Sequence, residues 1–143
     1  MKFIADVMLG RLARLMRFCG YDVEYDRHAD DTALLRRSRY RILLTKDRQL
    51  SNRVKKNRVY QIASVGGENQ LREIQKKFPL RPAQDAARCL LCNRKIRRIS
   101  KRRIQHLVPP FVYQKYRTFY TCPECKRIYW QGTHFEGMSR VLE

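Results

Sequence analysis

The chain alternates short apolar runs with longer segments in which apolar residues recur every three or four positions. Four apolar runs predict short strands, at Lys2–Asp6, Tyr21–Tyr25, Arg41–Thr45 and Val59–Ala63. The segments between and after these runs predict helices. Strands that alternate with helices are typical of a parallel sheet covered by helices. Residues 1–80 are therefore predicted to form an α/β domain, in which binding sites form at the carboxyl ends of the strands.

The first predicted helix has one apolar and one charged face. It covers Leu9–Cys19 and ends at Gly20, a residue that suits a helix C-terminus. The charged face is predicted to hold Arg11, Arg14 and Arg17. The apolar face consists of Leu9, Leu12, Ala13, Met16 and Cys19. Cys19 is therefore expected to be a buried core thiol and not a nucleophile.

Acidic residues stand at the predicted ends of strands and starts of helices. Asp6 ends the first strand, Asp47 follows the third, and a helix begins at Asp30 or Asp31. In a parallel sheet such residues can meet at one edge, where their oxygens suit Mg²⁺ or Mn²⁺. A competing interpretation is that Asp30, Asp31 and Asp47 only cap helices. Asp6 caps nothing obvious, which favours a functional role for it.

Four cysteines dominate the second part of the chain. They form two Cys-x-x-Cys pairs, Cys89 with Cys92 and Cys122 with Cys125, a spacing typical of a structural zinc site. Four thiolates leave no open position for water, so the zinc is expected to be structural. The sequence predicts a linker at residues 81–88 and a small zinc module at residues 89–143. No signal peptide or membrane-spanning run is apparent, so an intracellular, cytoplasmic location is expected, which favours metal over disulfides.

The formal net charge is +19, with 32 basic and 13 acidic residues. Ten Lys and Arg and no acidic residue lie between Asp85 and Glu124. Such a surface attracts a polyanion through phosphate contacts and counterion release, whereas no segment suggests a membrane partner. RNA contacts are expected from the first helix and from the basic run after the first cysteine pair, namely Arg11, Arg14, Arg94, Lys95, Arg97, Arg98, Lys101, Arg102 and Arg103. The aromatic residues Phe119, Tyr129 and Trp130 are predicted to pack the core of the zinc module.

Several motifs resemble the PIN-like nucleases. They are Asp6 with the run Met8 to Arg14 (Met-Leu-Gly-Arg-Leu-Ala-Arg), Asp31-Thr-Ala-Leu-Leu, and Ile42-Leu-Leu-Thr-Lys-Asp47. The first run is similar to the branch named after the C-terminal RNase domain of the Mut-seven exonuclease. That branch ends in a zinc ribbon, and here both cysteine pairs, Val108-Pro109 and Tyr129-Trp130 match its pattern.

This resemblance implies a metal-dependent ribonuclease with a PIN-like domain over residues 1–80 and a β-rich zinc ribbon over residues 89–143. It makes Asp6 and Asp47 the ligands of Mg²⁺ or Mn²⁺, with Asp31 as the third acid and Asp30 as its rival. Glu68 and Asn69 are weaker candidates for a fourth position.

The expected substrate is RNA, with structured rRNA or tRNA precursors or ribosomal particles as hypotheses drawn by analogy. The chain's three histidines, His28, His106 and His134, show no pairing that would favour histidine acid–base chemistry. The alternative function is a non-catalytic RNA-binding or ribosome-associated protein whose acids only cap helices. A toxin-like nuclease is a third, weaker interpretation.

Overall fold

The structure of the protein is a computed structural model that describes residues 1–79 and 87–132. A four-stranded parallel sheet forms its first part. The strands are β1 (Lys2–Ala5), β2 (Asp22–Tyr25), β3 (Ile42–Thr45) and β4 (Val59–Gln61), and their spatial order is β2-β1-β3-β4. All three pairings are parallel. The predicted fold class, a short parallel sheet flanked by helices with a small β-rich module after it, is confirmed.

Helices cover both faces of this sheet. They are α1 (Gly10–Phe18), α2 (Asp31–Arg37), α3 (Arg48–Asn52) and α4 (Gly67–Lys77), and a 3₁₀ turn at Val7–Leu9 precedes α1. Because side chains alternate along a strand, Phe3 and Ala5 pack with α1 and α4, while Ile4 packs with Leu34 of α2 and Leu50 of α3. The sheet therefore sits between two apolar layers, and its strands read as nearly continuous hydrophobic runs.

The strand order reverses direction between β1 and β3. The chain leaves β1 for β2 on one side, then crosses back over the sheet through α2 to reach β3 on the other side. In open parallel sheets, ligands bind in the crevice at the carboxyl ends of the strands where this reversal occurs. Asp6, directly after β1, and Asp47, two residues after β3, both lie at that edge.

An antiparallel sheet forms the second part of the protein. It contains β5 (Arg97–Ile99), β6 (Phe119–Thr121) and β7 (Ile128–Trp130) in that order. A 3₁₀ turn (Lys101–Ile104) and α5 (Pro110–Lys115) connect β5 with β6. Phe119 is fully buried among Ile104, Val108 and Val112, and its ring centroid lies 6.3 Å from that of Trp130. The predicted packing of Phe119 and Trp130 in the module's core is confirmed. Tyr129, the third residue predicted there, lies outside that cluster, and its hydroxyl contacts Sγ of Cys89.

The predicted apolar face of α1 is confirmed, but its predicted charged face is wrong for one residue. Cys19, like the other apolar positions, is buried, and burial raises the pKa of its thiol to about 12. Arg11 and Arg14 are exposed, whereas Arg17 is only 4% exposed. Arg17 is covered because the first cysteine pair packs over this end of α1, where its guanidinium donates to the carbonyl oxygen of Leu90.

The predicted division into residues 1–80, 81–88 and 89–143 stays a prediction. Residues 80–86, which include most of the predicted linker (81–88), lie outside the described residues, as do residues 133–143 with His134. In the part of the chain that the structure describes, no helix combines the length and the apolar character needed to cross a membrane.

Candidate metal centres

Asp6 and Asp47 are joined through Thr45 at the carboxyl edge of the sheet. The Thr45 hydroxyl donates to Oδ2 of Asp6 at 2.7 Å, and the Asp47 backbone N–H donates to Oγ1 of Thr45 at 3.0 Å. The backbone N–H of Asp6 also donates to the carbonyl of Leu44 at 2.9 Å, which extends the ladder between β1 and β3 by one residue. Strand pairing therefore fixes the backbone at Asp6, and a buried hydroxyl fixes its carboxylate.

Asp6 is buried, and no cation from residues 1–79 or 87–132 contacts its carboxylate. The residue is 6% exposed, and Thr45 beside it is fully buried. Among the described residues, no Lys, Arg or His nitrogen lies within 4.0 Å of the Asp6 carboxylate, and Thr45 is its one side-chain hydrogen-bond partner. A buried carboxylate is costly unless an opposite charge or several donors compensate it.

Asp47 also caps a helix. Its Oδ1 accepts hydrogen bonds from the backbone N–H groups of Gln49 at 2.8 Å and Leu50 at 3.2 Å, at the start of α3. The prediction that Asp47 caps a helix is therefore confirmed for Oδ1. Its Oδ2 accepts no hydrogen bond from any described residue, so capping uses one of its two oxygens.

The structure separates the roles of Asp30 and Asp31. Asp30 is the N-cap of α2, and its Oδ1 accepts from the backbone N–H of Ala33 at 2.8 Å. Asp31 lies in the first turn and takes no capping hydrogen bond. Its carboxylate is 3.6 Å from the Arg53 guanidinium at the end of α3, and it is 58% exposed. Asp31 therefore has the freer carboxylate of the two.

The acids do not form one tight group. Within residues 1–79 and 87–132, the four cysteines are the one group of three or more His, Cys, Asp or Glu whose ligand atoms all lie within 4.8 Å of one another. The predicted fourth positions are engaged locally, since Glu68 pairs with Arg11 at 3.0 Å and Asn69 donates to the Val65 carbonyl. Mg²⁺ retains several waters and is commonly held by one or two carboxylates, so Asp6 and Asp47 still suit such an ion.

Glu73 on α4 fixes the loop that follows β4. Its carboxylate accepts hydrogen bonds from the backbone N–H groups of Ala63 and Ser64 and from the hydroxyl of Tyr60. Burial alone would raise the Glu73 pKa, but these hydrogen bonds outweigh it and lower the pKa to about 2. An open cavity of about 790 Å³ adjoins this loop and is lined by Tyr60, Ser64, Arg72, Glu73 and their neighbours. None of the four predicted aspartates lines it.

Two matching knuckles carry the cysteines. In each, the backbone N–H of the residue after the second cysteine donates to the carbonyl of the first cysteine at 3.0 Å, from Asn93 to Cys89 and from Lys126 to Cys122. Both of those residues have a positive φ, 61° for Asn93 and 62° for Lys126. This left-handed residue turns the chain back, so that both cysteines of a pair face the same point.

The four sulfurs can hold a metal ion such as zinc. All four lie within 4.8 Å of one another, and the Sγ atoms of Cys89 and Cys125 are 3.7 Å apart. Tetrahedral Zn–S bonds of about 2.3 Å place sulfurs about 3.8 Å apart, so the arrangement fits zinc. The Tyr129 hydroxyl lies 3.0 Å from Sγ of Cys89. Burial alone would raise the Cys89 pKa, but hydrogen bonds from Tyr129 and the Cys92 backbone lower it to about 7.

Most of the predicted RNA-contact residues lie on the surface. Arg97 and Arg98 on β5 are exposed, as are Arg14, Lys95, Arg102 and Arg103. Three others have partners within the protein. Arg11 pairs with Glu68 at 3.0 Å, Arg94 pairs with Glu124 at 2.7 Å, and the Lys101 ammonium lies 4.5 Å from the centroid of the Tyr113 ring. The exposed group therefore offers cations that no described carboxylate neutralises.

Sequence reasoning missed three residues of these sites. Thr45 joins the two aspartates, Glu73 holds the loop after β4, and Arg17 binds the first knuckle. The Thr-x-Asp spacing after a strand was a usable signal for Thr45. No local pattern distinguishes Glu73 or Arg17 from ordinary charged residues on a helix surface, because their partners are distant in the sequence.

Comparison with known proteins gives one family. The family model described as Mut7-C RNAse domain matches residues 1–142. Searches of curated proteins and of solved structures found no match to the chain.

The loop held by Glu73 is predicted to make stability depend on pH. A folded-state pKa near 2, below the ordinary value of about 4.3, means that Glu73 stabilises the fold fully above about pH 5. This contribution is lost as the pH falls through about 4 toward 2. Glu73→Gln should flatten the fall in the free energy of unfolding between pH 6 and pH 3, measured by denaturant titration. Glu68→Gln on the same helix is the control, and equal pH dependence in wild type and Glu73→Gln would contradict the prediction.

Proposed function

This chain belongs to the Mut7-C RNAse domain family, and we propose that it is a metal-dependent endoribonuclease. The family points to a nuclease-like function that is related to RNA. We further propose that Asp6 and Asp47, with Asp31 as the third acid, hold Mg²⁺ or Mn²⁺, and that structural zinc occupies the four cysteines. In this proposal the first part of the chain cuts RNA and the basic zinc ribbon grips it.

The observation that carries this proposal is the burial of Asp6 with no compensating cation among the residues that the structure describes. The protein has a net charge of +19, so arginine or lysine was available in abundance to neutralise a structural carboxylate. Within the described part of the chain, the Asp6 carboxylate nevertheless accepts a side-chain hydrogen bond from the Thr45 hydroxyl alone, at the sheet edge where ligands bind in this type of fold. A divalent cation would supply the missing positive charge.

The protein's own groups set up the reaction. Thr45 orients one oxygen of Asp6 and leaves the other available, and Asp47 keeps its Oδ2 available at the same edge of the sheet. Asp31 lies at the start of α2, and its partner Arg53 directly follows α3. When bound, Mg²⁺ or Mn²⁺ would stabilise negative charge on the phosphodiester and promote attack by water at phosphorus.

The ribbon supplies the proposed RNA-binding surface. Arg97 and Arg98 stand on an edge strand, and Arg102 and Arg103 follow in the next turn, all exposed. Among the described residues none of these four is within 4.0 Å of a carboxylate oxygen. Cations arranged in this way attract phosphates through counterion release. We propose structured RNA, such as rRNA or tRNA precursors free or in ribosomal particles, as the substrate class.

One observation favours a second candidate function. Asp30 and Asp47 both cap helices through hydrogen bonds to backbone N–H groups. If the acids have only this role, the protein is a non-catalytic RNA-binding or ribosome-associated protein. Capping contributes about 1 kcal/mol and gives no reason for Asp6 to be buried, so we prefer the nuclease.

Removal of either central acid is predicted to abolish cleavage while RNA binding persists. Asp6→Asn and Asp47→Asn should each slow the Mg²⁺- or Mn²⁺-dependent cutting of a labelled structured RNA by more than about 100-fold, because loss of partners outside a metal's ligand set already costs about 10–100-fold. Asp26→Asn, which changes an exposed acid directly after β2, is the control. Cutting at the wild-type rate by Asp6→Asn would exclude the proposed site and favour the non-catalytic alternative.

Charge reversal on the ribbon is predicted to weaken RNA binding and reduce its salt dependence. Changing Arg97, Arg98, Arg102 and Arg103 to Glu should lower the slope of log affinity against log salt by about 0.7–0.9 for each phosphate group that the variant no longer binds. The same change at four exposed cations outside the ribbon, Arg36, Arg39, Lys55 and Lys56, alters the net charge equally and serves as the control. If the ribbon variant kept the wild-type salt slope, the ribbon would not be part of the RNA-binding surface.

A further inference from the structure

Arg17 is a buried cation whose side-chain hydrogen bonds to described residues all go to backbone carbonyl groups. It is 4% exposed, and its Nε donates to the Val23 carbonyl at 2.9 Å. Its NH1 donates to the carbonyl oxygens of Leu90 at 2.6 Å and Leu91 at 3.3 Å. Leu90 and Leu91 are the two residues between Cys89 and Cys92, so the guanidinium from α1 sits directly against the first knuckle.

Arg17 has no carboxylate partner in direct contact among residues 1–79 and 87–132. In the described part of the chain, no Asp or Glu oxygen lies within 4.0 Å of the Arg17 guanidinium. The carboxylate of Asp22 is nearby but engaged, since it accepts from Arg41 at 2.7 Å and from the Asn93 amide at 2.8 Å and lies 3.9 Å from Arg88. A buried guanidinium remains charged, so its burial requires a negative partner.

The cysteines of the first knuckle lie next to Arg17, since the two carbonyls that its NH1 binds belong to the residues between Cys89 and Cys92. Burial lowers the Arg17 pKa, while the negative charges of Cys89, Cys92 and, to a smaller extent, Asp22 raise it. Four thiolates together with one bound Zn²⁺ would have a net charge of about −2, so a further cation nearby would be stabilising. Among the described residues Arg17 has no carboxylate within 4.0 Å, and a zinc-loaded centre beside it would have excess negative charge.

We propose that the zinc–tetracysteine centre is the counter-charge of Arg17, and that this pairing clamps the ribbon to the edge of the parallel sheet. Zinc binding in the second part of the chain and stability of the first part are then thermodynamically linked. The proposal depends on zinc binding and is independent of whether the protein cuts RNA.

The contacts around β2 support the clamp. β2 is an edge strand, and Val23 directs both its N–H and its C=O away from β1. The N–H donates to Oδ1 of Asn93 at 3.1 Å, and the C=O accepts from Arg17. Asn93 directly follows Cys92, and its left-handed backbone belongs to the knuckle turn. The knuckle therefore covers an edge that would otherwise present unpaired backbone groups.

Arg88 also connects the first knuckle with α1 and the turn that follows it. Its backbone N–H donates to the Arg17 carbonyl at 3.0 Å, and its guanidinium donates to the carbonyls of Gly20 at 3.3 Å and Asn93 at 2.7 Å. Hydrogen bonds therefore hold the knuckle and Arg88 to the C-terminal end of α1, to the turn after it and to β2. Because these bonds need the folded knuckle, and the knuckle needs its metal, loss of zinc should expose β2.

Zinc affinity tests the counter-charge directly. Competition with a chromophoric chelator would give the zinc dissociation constant of full-length wild type, Arg17→Met, Arg17→Lys and Arg14→Met. Arg17→Met should weaken zinc binding at least about tenfold, since the paired positive charge is removed, whereas Arg17→Lys should stay nearer to wild type. Arg14→Met removes an exposed arginine from the same helix and should bind zinc normally.

Wild-type affinity in Arg17→Met, equal losses in Arg17→Met and Arg17→Lys, or a wild-type protein that retains no zinc after reconstitution would each overturn the proposal. If Arg17→Met fails to fold, hydrogen exchange on wild type decides. Chelation should speed exchange of the Val23 amide much more than that of Leu44 in the sheet interior. Unchanged protection of Val23 after the zinc is removed would overturn the clamp.

Discussion

A charge buried in a protein interior must be matched by an opposite charge, because its desolvation costs several kcal/mol even after the structure relaxes. Within its described residues, this protein has two buried charged side chains with no oppositely charged side chain in contact. Asp6 is buried without a cation, and Arg17 is buried without a carboxylate. In each case the remaining neighbours suit a bound metal: oxygen ligands near Asp6 and four thiolates near Arg17. The two anomalies therefore point to the protein's two proposed metal sites.

At the sheet edge, the free energy from helix capping and the cost of burying Asp6 differ in size, and this difference favours the proposed catalytic role over a purely structural one. Helix capping contributes about 1 kcal/mol and accounts for Asp30 and for one oxygen of Asp47. It does not account for Asp6, whose burial costs more than the single Thr45 hydrogen bond returns. The topology adds an independent argument, since Asp6 and Asp47 follow the two strands between which the order of the sheet reverses. The capping roles and the proposed catalytic role can coexist because capping occupies one carboxylate oxygen.

Periodicity in the sequence was sufficient to predict the α/β domain, because alternating apolar runs and amphipathic segments reflect burial directly. The cysteine spacing was equally sufficient for the second metal site. Arg17 shows where this reasoning stops. A helix pattern assigns a charged residue to solvent, but the knuckle that covers Arg17 lies more than 70 residues further along the chain. Likewise, the choice between Asp30 and Asp31 depends on which side chain turns back to the Ala33 N–H, which the sequence alone leaves open.

The most direct measurement is a crystal structure of the protein in Mn²⁺, with anomalous scattering recorded at the manganese and zinc absorption edges. The account predicts a manganese peak bound to Asp6 and within reach of Asp47, and a zinc peak at the centre of the four sulfurs beside Arg17. An Asp6 carboxylate that contacts only Thr45 and water at saturating Mn²⁺ would contradict it.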